Sequence, residues 1–439
     1  MCGIFGCLLQ FGDAAPIIHA ALKQLEYRGY DSVGEATVSD AGLAIKKDAG
    51  KIDDVHKALN LDDLPGSMGI GHTRWATHGA PLKVNAHPLT DCSQRIAVVH
   101  NGIIENFSML KDLLLSKEHD YVSRTDTEVI PHLIEEEMAR GVGFEEAVRN
   151  VAKQLEGSYA FAAVSTLEGD KILCARNYSP LIIGISDKGL FLSSDIPALL
   201  PSTNKVIYLN NGEMAILSRG GLTLKRIEDG AVLQRAPQVL SLTMEMAQKQ
   251  GYPHFMLKEI YEQPETLRSA LLLQKSYLDL ITTFLDRAEE LYLVACGTSY
   301  NACLAASYMF STLCNLATIP VIASEFIDQY GGAVGIQSTI LALSQSGETA
   351  DVLHAIDYAR LRAATILGLT NTLGSTLTRV SRAYICQQTG PEIGVAASKT
   401  YTGQLIVMAQ LALRLSKVRG KVSQDTIDEL EGKLVQIPS

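Results

Sequence analysis

The chain has 439 residues, 47% of them hydrophobic and 20% charged, a balance that is ordinary for globular proteins and a length that suits two or three domains. Its formal net charge of −10 argues against nucleic acid or an anionic membrane as the main partner. An anionic small ligand would therefore be held by local groups and not by the overall charge.

The cysteines and the termini narrow the class of protein further. The eight cysteines form no Cys-x-x-Cys pair, so the sequence predicts neither a disulfide framework nor a zinc site, and a reducing cytoplasm fits. The N-terminus has no basic segment followed by an apolar one, so no secretory signal is predicted. The longest late apolar stretch, QLIVMAQLAL, is too short to span a bilayer.

The first half of the chain predicts short strands that alternate with helices. GIFGCLL predicts a strand and APIIHAALKQLEYRG a helix, while MGIGHTR and RIAVVHNG predict two strands that each end in a turn. FSMLKDLL, DTEVIPHLIEEEMAR and FEEAVRNVAKQL predict helices, and short strands separated by turn residues follow from Ser158 to Lys225. Many short strands with a few helices indicate sheets packed face to face under helical layers.

The second half has a different pattern. Periodicity lapses over residues 236–262, which we interpret as a linker. Beyond it, strands that are apolar on both faces alternate with helices, as in ELYLVACG, STILALS and ATILGLT. This pattern predicts a parallel sheet buried by helices, a doubly wound α/β domain.

The opening residues MCGIFG suggest a chemical role. If Met1 is removed, Cys2 carries both a thiol and an α-amine, whose pKa of ~7.7–8 leaves a useful neutral fraction. The amine can take the thiol proton directly or through a water molecule, which is the N-terminal-nucleophile device. A thiolate that attacks a carboxamide would give a thioester and ammonia. For an isolated Met-Cys-Gly, a buried and inert cysteine is the simpler explanation.

Four further motifs favour the chemical interpretation: HTRWATHG, NAHP, VVHNGIIEN and SRTDTEV. The Arg74 guanidinium suits an α-carboxylate, and Asp126 could hold an α-ammonium. The side-chain amide of Asn101 and the backbone N–H of Gly102 could form an oxyanion hole. Each also has a simpler reading, as a surface charge, an N-cap or an Asn-Gly turn. Their coincidence with Met-Cys-Gly points to a site for glutamine.

These motifs, together with LEYRGYDSVG, resemble the N-terminal-nucleophile (Ntn) glutamine amidotransferases, and most closely the glutamine–fructose-6-phosphate aminotransferases. The resemblance implies an αββα Ntn-hydrolase sandwich, assigned to residues 2–235, with Cys2 as nucleophile. It implies that Asn101 and Gly102 form the oxyanion hole and that glutamine is held by Arg74, Thr77, His78 and Asp126. It also implies that Trp75 gates an internal ammonia passage, although the residues alone leave a core-filling ring equally open.

Two strand-to-helix turns in the second half, ACGTSYN and ALSQSGETAD, are rich in small and hydroxyl residues. Free backbone N–H groups and a helix dipole favour phosphate there, and ligands of parallel sheets lie beyond the carboxyl ends of strands. One such loop alone would be explained by N-capping, but two favour a sugar phosphate. The candidate residues are Thr298, Ser299, Ser344, Gln345, Ser346 and Thr349.

SQSGET followed by EIGVAASKTYT resembles the sugar isomerase (SIS) domain of the same family. The resemblance assigns sugar-phosphate contacts to the six residues above and to Val395, whereas Ala397 stands where related sequences often have Ser. We assign the SIS domain to residues 263–425, and residues 426–439 to a linker or to the start of a second SIS domain, which the family normally carries. Isomerisation needs a base, for which Glu348 is a candidate by position only.

The resemblance therefore implies a cytoplasmic, homodimeric enzyme that hydrolyses glutamine and passes ammonia to fructose 6-phosphate, giving glucosamine 6-phosphate and glutamate without a metal or organic cofactor. Two alternatives stay open from the residues. One is a phosphosugar-sensing protein with glutaminase activity alone, because a second SIS domain is not seen. The other is an amidotransferase with a phosphoribosyl acceptor, against which SQSGET counts.

Overall fold

A computed structural model of the chain describes residues 2–75, 79–240 and 249–439. It divides into two compact units, Met1–Met244 and Glu245–Ser439. Within the described residues, every helix is too short or too polar to cross a membrane.

In its described residues, the first unit has two antiparallel sheets and five α-helices. The strands are β1 (Gly3–Leu9), β2 (Ser32–Ser39), β3 (Gly42–Ala49), β4 (Met68–Arg74), β5 (Leu89–Thr90), β6 (Ile96–Ile104), β7 (Gly157–Ser165), β8 (Lys171–Asn177), β9 (Ile182–Ser186), β10 (Gly189–Ser193), β11 (Lys205–Tyr208), β12 (Glu213–Ser218), β13 (Gly221–Arg226), β14 (Val232–Leu233) and β15 (Gln238–Val239). The helices are α1 (Ala15–Leu25), α2 (Ile52–Leu59), α3 (Phe107–Leu115), α4 (Val129–Ala139) and α5 (Phe144–Gln154).

The sheets stack face to face with helices outside them. One sheet has the order β15-β11-β9-β10-β1-β4-β2-β3 and the other β14-β13-β12-β8-β7-β6-β5. Strand alternation sorts the apolar side chains: Ile4 and Leu8 of β1 enter the core between the sheets, while Phe5 and Leu9 pack under α1. Helices α3 to α5 cover the outer face of the second sheet. The predicted αββα sandwich is confirmed.

The second unit contains one parallel sheet between helices. Its strands are β16 (Glu290–Ala295), β17 (Ile319–Ile322), β18 (Ser338–Ser344), β19 (Thr365–Thr370) and β20 (Ala383–Cys386), in the order β17-β16-β18-β19-β20. Its helices are α6 (Phe255–Leu271), α7 (Lys275–Asp286), α8 (Gly297–Cys314), α9 (Phe326–Tyr330), α10 (Ala350–Leu361), α11 (Thr376–Val380), α12 (Lys399–Arg419) and α13 (Gln424–Gln436). The predicted doubly wound sheet is confirmed, because all its paired strands are parallel.

The segment interpreted as a linker, 236–262, contains regular structure at both ends. Strand β15 lies near its start, paired with β11, and the first turns of α6 lie at its end. Residues 426–439 lie largely in α13, whose Ile427 is buried. The domain ranges drawn from the sequence stay predictions.

Candidate functional site

The N-terminal cysteine lies against the end of strand β4. Gly3 pairs with Thr73, so Cys2 faces the residues that follow in β4. The backbone N–H of Trp75 donates to the Cys2 Sγ at 3.2 Å, and the thiol lies 3.4 Å from the Trp75 carbonyl oxygen. The thiol is therefore fixed by the backbone of the residue next to Arg74.

Two side chains hold the carbonyl oxygen of Cys2. The Arg28 Nε and the Asn101 Nδ2 each donate to it at 3.0 Å. Arg28 is itself anchored by the Asp195 carboxylate at 2.5 Å. Gly29 lets the chain after Arg28 lie against the end of β4, because a Cβ there would lie 2.5 Å from the Arg74 carbonyl carbon. Sequence reasoning missed Arg28 and Asp195, although LEYRG contains the first of them.

Asn101 and Gly102 lie inside β6, which continues to Ile104, so the prediction of a strand ending in a turn at RIAVVHNG is wrong. Gly102 has a φ of +125°, and a Cβ there would lie 1.9 Å from the Ser158 carbonyl oxygen of the paired strand β7. Glycine is required because the neighbouring strand fills the space. Asn101 shares the strand face of Ala97 and Val99, which enter the core between the sheets.

A cluster of three buried histidines, His72, His87 and His100, adjoins Asn101. His72 Nε2 lies 3.0 Å from both Asn101 Oδ1 and the His100 carbonyl oxygen. Both partners are acceptors, so this nitrogen carries the proton and donates. The contact turns the Asn101 amide so that its NH2 group faces Cys2. The His87 ring contacts the His72 ring at a tilt of 36°, with the ring centres 4.3 Å apart, and the His100 Nδ1 lies 2.8 Å from the Thr127 hydroxyl.

Burial keeps these histidines neutral. It lowers the pKa of His72 to about 3 and also lowers the pKa of His87 and of His100, because a charged imidazole loses its hydration in this core. Sequence reasoning assigned no role to His72, although it stands in HTRWATHG. Its place on β4, two residues before Arg74, could have indicated that both point between the sheets.

Arg74, one of the predicted glutamine ligands, lies near Cys2, and Asp126, the other charged one, lies near Arg74. Arg74 is 4% exposed, and its guanidinium donates to the Gly79 carbonyl oxygen at 3.3 Å. Burial lowers the pKa of Arg74, while nearby Cys2 and the Asp126 carboxylate act in the opposite direction. Asp126 is also buried, and its Oδ2 accepts from the Ile104 N–H at 2.8 Å. The thiol thus has the Arg74 cation near it, and the Asp126 carboxylate lies near that cation; a zwitterionic amino acid would need both charges.

The other residues that the sequence assigned to this site are Trp75, Thr77 and His78, and the NAHP motif follows them in the sequence. Trp75 is 38% exposed and its ring meets Tyr30 edge to face at 5.3 Å, so a gating role stays a prediction. Thr77 and His78 lie outside the described residues. Asn85 of NAHP links two segments of the site, because it donates to the Ala80 carbonyl oxygen and accepts from the Arg124 N–H.

The Cys2 thiol needs a base. Burial raises its pKa, although the Trp75 backbone contact and the cations of Arg74 and Arg28 act the other way. A neutral thiol is a weak nucleophile, so deprotonation has to accompany attack.

In the second unit, both predicted strand-to-helix turns lie at the carboxyl edge of the sheet. Numbered within this sheet, the strand order is 2-1-3-4-5. Strands are added in one direction up to β17 and in the other direction from β18, so the order switches between β16 and β18, where such folds bind ligands. Ala295 at the end of β16 pairs with Leu343 near the end of β18. The loops that follow these two strands are therefore neighbours.

The hydroxyls of the second loop are mutually bonded. Ser344 Oγ lies 2.9 Å from the Thr349 Oγ1 and accepts from the Gly347 N–H at 3.0 Å. Ser346 Oγ accepts from the Glu348 N–H at 3.1 Å. Gln345 precedes this turn, and its carbonyl oxygen accepts from the Asn371 N–H at 3.0 Å after β19. These hydrogen bonds tie the residues of the loop to one another and to the end of β19.

The structure changes or leaves untested three of the sequence assignments in this unit. Thr298 and Ser299 lie in the first turn of α8, not in a loop, and Ser299 accepts from the Gln404 Nε2 at 3.0 Å. Val395 is 78% exposed on the segment that leads to α12, and its sugar contact stays a prediction. Glu348 accepts from the Thr376 N–H at 2.7 Å and from its hydroxyl at 2.9 Å, so this carboxylate caps α11.

Comparisons with known proteins identify two domain families in the chain. Residues 72–201 match the family described as a glutamine amidotransferase domain, and residues 284–414 match the SIS domain. A glutamine–fructose-6-phosphate aminotransferase (isomerizing) of Thermococcus kodakarensis is 46% identical over 100% of this chain and 73% of its own length. The enzyme of the same name from Methanothermobacter thermautotrophicus is 49% identical over 94% of this chain and 69% of its own length. That of Pyrococcus horikoshii is 43% identical over 100% and 72%.

Proposed function

The chain belongs to the glutamine–fructose-6-phosphate aminotransferase family, and on that premise we propose that it transfers the amide nitrogen of glutamine to fructose 6-phosphate. The products are glucosamine 6-phosphate and glutamate. The first unit releases the ammonia, and the second unit holds the phosphosugar that accepts it. The observation that carries this proposal is the convergence of Asn101 and Arg74 on Cys2, with Asp126 near Arg74.

The glutaminase step begins at the Cys2 thiol. After removal of Met1, the freed α-amine accepts the thiol proton while Sγ attacks the side-chain amide carbon of glutamine. The carbon–nitrogen bond then breaks, the nitrogen takes up the proton and leaves as ammonia, and a γ-glutamyl thioester remains. Water hydrolyses the thioester, which releases glutamate and restores the thiol.

The oxyanion formed in both steps needs preorganised donors. We assign this role to the Asn101 Nδ2 and the Gly102 N–H, because Asn101 already donates next to Cys2 and His72 fixes its orientation. Loss of one such donor costs about 10²–10³ in kcat. Arg74 and Asp126 would bind the α-carboxylate and the α-ammonium of glutamine.

The second unit would hold the phosphate of the sugar with hydroxyls and backbone N–H groups. Ser344, Ser346 and Thr349 lie at the switch point of the sheet, before the N-terminus of α10, whose dipole favours an anion. Ammonia would add to the ketose carbonyl with loss of water. The proton transfer that gives the aldose needs a base other than Glu348, whose carboxylate caps α11.

A cytoplasmic location and a homodimer also belong to this proposal. Both are carried over from the sequence resemblance. Light scattering of the purified chain tests the dimer directly.

Incubation of the purified full chain with glutamine and fructose 6-phosphate tests the function. We expect glutamate and glucosamine 6-phosphate in equal amounts. Glutamate without amino sugar would contradict the synthase half of the proposal, and the absence of both products would contradict the whole.

A further inference from the structure

Four side chains on the outer face of the second sheet converge on one point away from Cys2. Cys92 Sγ lies 3.4 Å from the Nδ1 of His119 and 3.4 Å from the Nδ1 of His132. The two Nδ1 atoms are 3.2 Å apart. Glu135 Oε2 lies 3.2 Å from the His119 Nδ1 and 3.6 Å from the His132 Nδ1. All four ligand-type atoms fall within 4.8 Å of one another.

Hydrogen bonds alone do not account for this arrangement. The His119 Nδ1 has three close neighbours, a sulfur, a nitrogen and a carboxylate oxygen, at 3.2–3.4 Å. A ring nitrogen has either one N–H or one in-plane lone pair, so it can satisfy only one of them. A single cation at the centre would satisfy all four atoms together.

We propose that Cys92, His119, His132 and Glu135 bind a zinc ion in a closed structural site. Tetrahedral Zn²⁺ with ordinary Zn–S, Zn–N and Zn–O bonds holds its ligand atoms ~3.3–3.6 Å apart, and the five separations above run from 3.2 to 3.6 Å. One thiolate, two imidazoles and one carboxylate form a borderline-soft set that suits zinc. Four protein ligands leave no open position, so the ion is structural and not catalytic.

The surroundings support the ligands as metal sites require. The other ring nitrogen of His119, Nε2, lies 3.2 Å from a carboxylate oxygen of Glu136, and His132 Nε2 lies 3.8 Å from Glu128. The His119–Glu136 contact is the kind of carboxylate–histidine pair that orients a metal ligand and raises its basicity, whereas the His132–Glu128 separation is too long for a hydrogen bond. The two histidines are buried, whereas Cys92 is exposed, which gives the ion a path from solvent.

The ion would join three separate segments of the first unit. Cys92 belongs to the turn between β5 and β6, His119 follows α3, and the remaining ligands stand one turn apart on α4. Between these anchors, the Glu128 carboxylate accepts from the N–H groups of Val122 and Ser123 at 2.7 and 2.6 Å. The segment fixed in this way contains Asp126, but the zinc site does not depend on the proposed function.

Metal analysis of the purified full chain tests the proposal. After expression with zinc and extensive dialysis, we expect about one zinc per chain and a Tm that falls on addition of a strong chelator and recovers with Zn²⁺. Cys92→Ser should lose most of the zinc. Cys386→Ser, which changes a half-buried thiol in the second unit, is the matched control and should retain it.

A second variant guards against misfolding. Glu135→Gln keeps the size of the side chain and should weaken zinc binding while the far-UV circular dichroism stays unchanged. Replacement of zinc by Co²⁺ should give the visible absorption of a tetrahedral thiolate complex, and Cys92→Ser should abolish it. A wild-type chain without bound metal and without a zinc-dependent Tm would overturn the proposal, as would equal zinc content in the Cys92 and Cys386 variants.

Discussion

The two candidate sites of this chain are built on opposite plans. The site around Cys2 gathers charged and aromatic side chains from distant strands, and each is held by one or two specific hydrogen bonds, as with His72 and Asn101. The site in the second unit consists of hydroxyls at the ends of two parallel strands, where fold topology supplies the position. A catalytic site thus depends on a few irreplaceable groups, whereas a phosphate site spreads its binding energy over many small contributions.

The largest expected effect is the loss of the nucleophile. Cys2→Ala should reduce glutaminase activity by at least about 10⁴-fold, because no other group can form the thioester. Sugar-phosphate binding should be unchanged, and ammonia added in place of glutamine should restore amino-sugar formation. Glutamate release and phosphosugar binding measured on the same preparation check this, and retained glutaminase activity would contradict the account.

Removal of one oxyanion donor should have the next largest effect. Asn101→Ala should lower kcat of the glutaminase by about 10²–10³ with little change in KM, because the donor acts mainly in the transition state. Asn150→Ala is the matched control, since Asn150 donates to Glu137 on helices outside the site. Steady-state kinetics distinguish the two, and equal losses in both variants would point to a structural effect.

Acid should destabilise the first unit before the second. The pKa values of His72, His87 and His100 are lowered in the folded chain. Below a pH of about 6.5, the histidine pKa of the unfolded chain, the unfolded chain therefore binds more protons than the folded one. The contribution of these histidines to the free energy of unfolding is therefore fully present above pH ~6.5. It falls as the pH drops toward 3, by up to about 1.4 kcal/mol per pH unit for each histidine. In contrast, His254 and His354 of the second unit are exposed.

Fluorescence can follow the first unit alone, because Trp75 is the single tryptophan of the chain. Thermal unfolding in EDTA, which removes any contribution from metal, should show a Tm by fluorescence that is level above pH ~6.5 and falls steeply below it. His100→Gln should make that pH dependence shallower, and His354→Gln should leave it as it is. A pH dependence that is the same in both variants would contradict the prediction.

The smallest effect is expected in the hydroxyl loop. Ser344→Ala removes one neutral hydrogen-bonding group, worth about 0.5–1.5 kcal/mol, so binding of fructose 6-phosphate should weaken by about 2–12-fold. Ser338→Ala changes the other end of the same strand, where the hydroxyl donates to Glu290, and should leave binding intact. Calorimetric titration measures both, and a loss of more than about a hundredfold in Ser344→Ala would contradict the plan of many small contributions.

Sequence patterns predicted most of the elements but not the contacts between them. Local periodicity predicted the all-apolar strands of the second unit. Residue type singled out the motifs that contain Cys2, Arg74 and Asp126. The Asn101–Gly102 turn was predicted wrongly, since a glycine demanded by a neighbouring strand looks the same in sequence as a turn glycine.

Long-range partners were beyond the reach of the sequence. His72 donates a hydrogen bond to Asn101, and Arg28 donates one to the Cys2 carbonyl oxygen. These partners are far apart in the sequence, and no local pattern encodes such pairs. The cluster of Cys92, His119, His132 and Glu135 escaped for the same reason. Its ligands come from three segments with only one cysteine among them, so no metal-binding spacing stands out.

The most direct test of the account is the mass of the N-terminal peptide from active enzyme quenched during turnover with glutamine. The account predicts a peptide that begins at Cys2, without Met1, and that carries one γ-glutamyl group on the Cys2 sulfur. An active enzyme that retains Met1, or that carries the γ-glutamyl group on another residue, would contradict it.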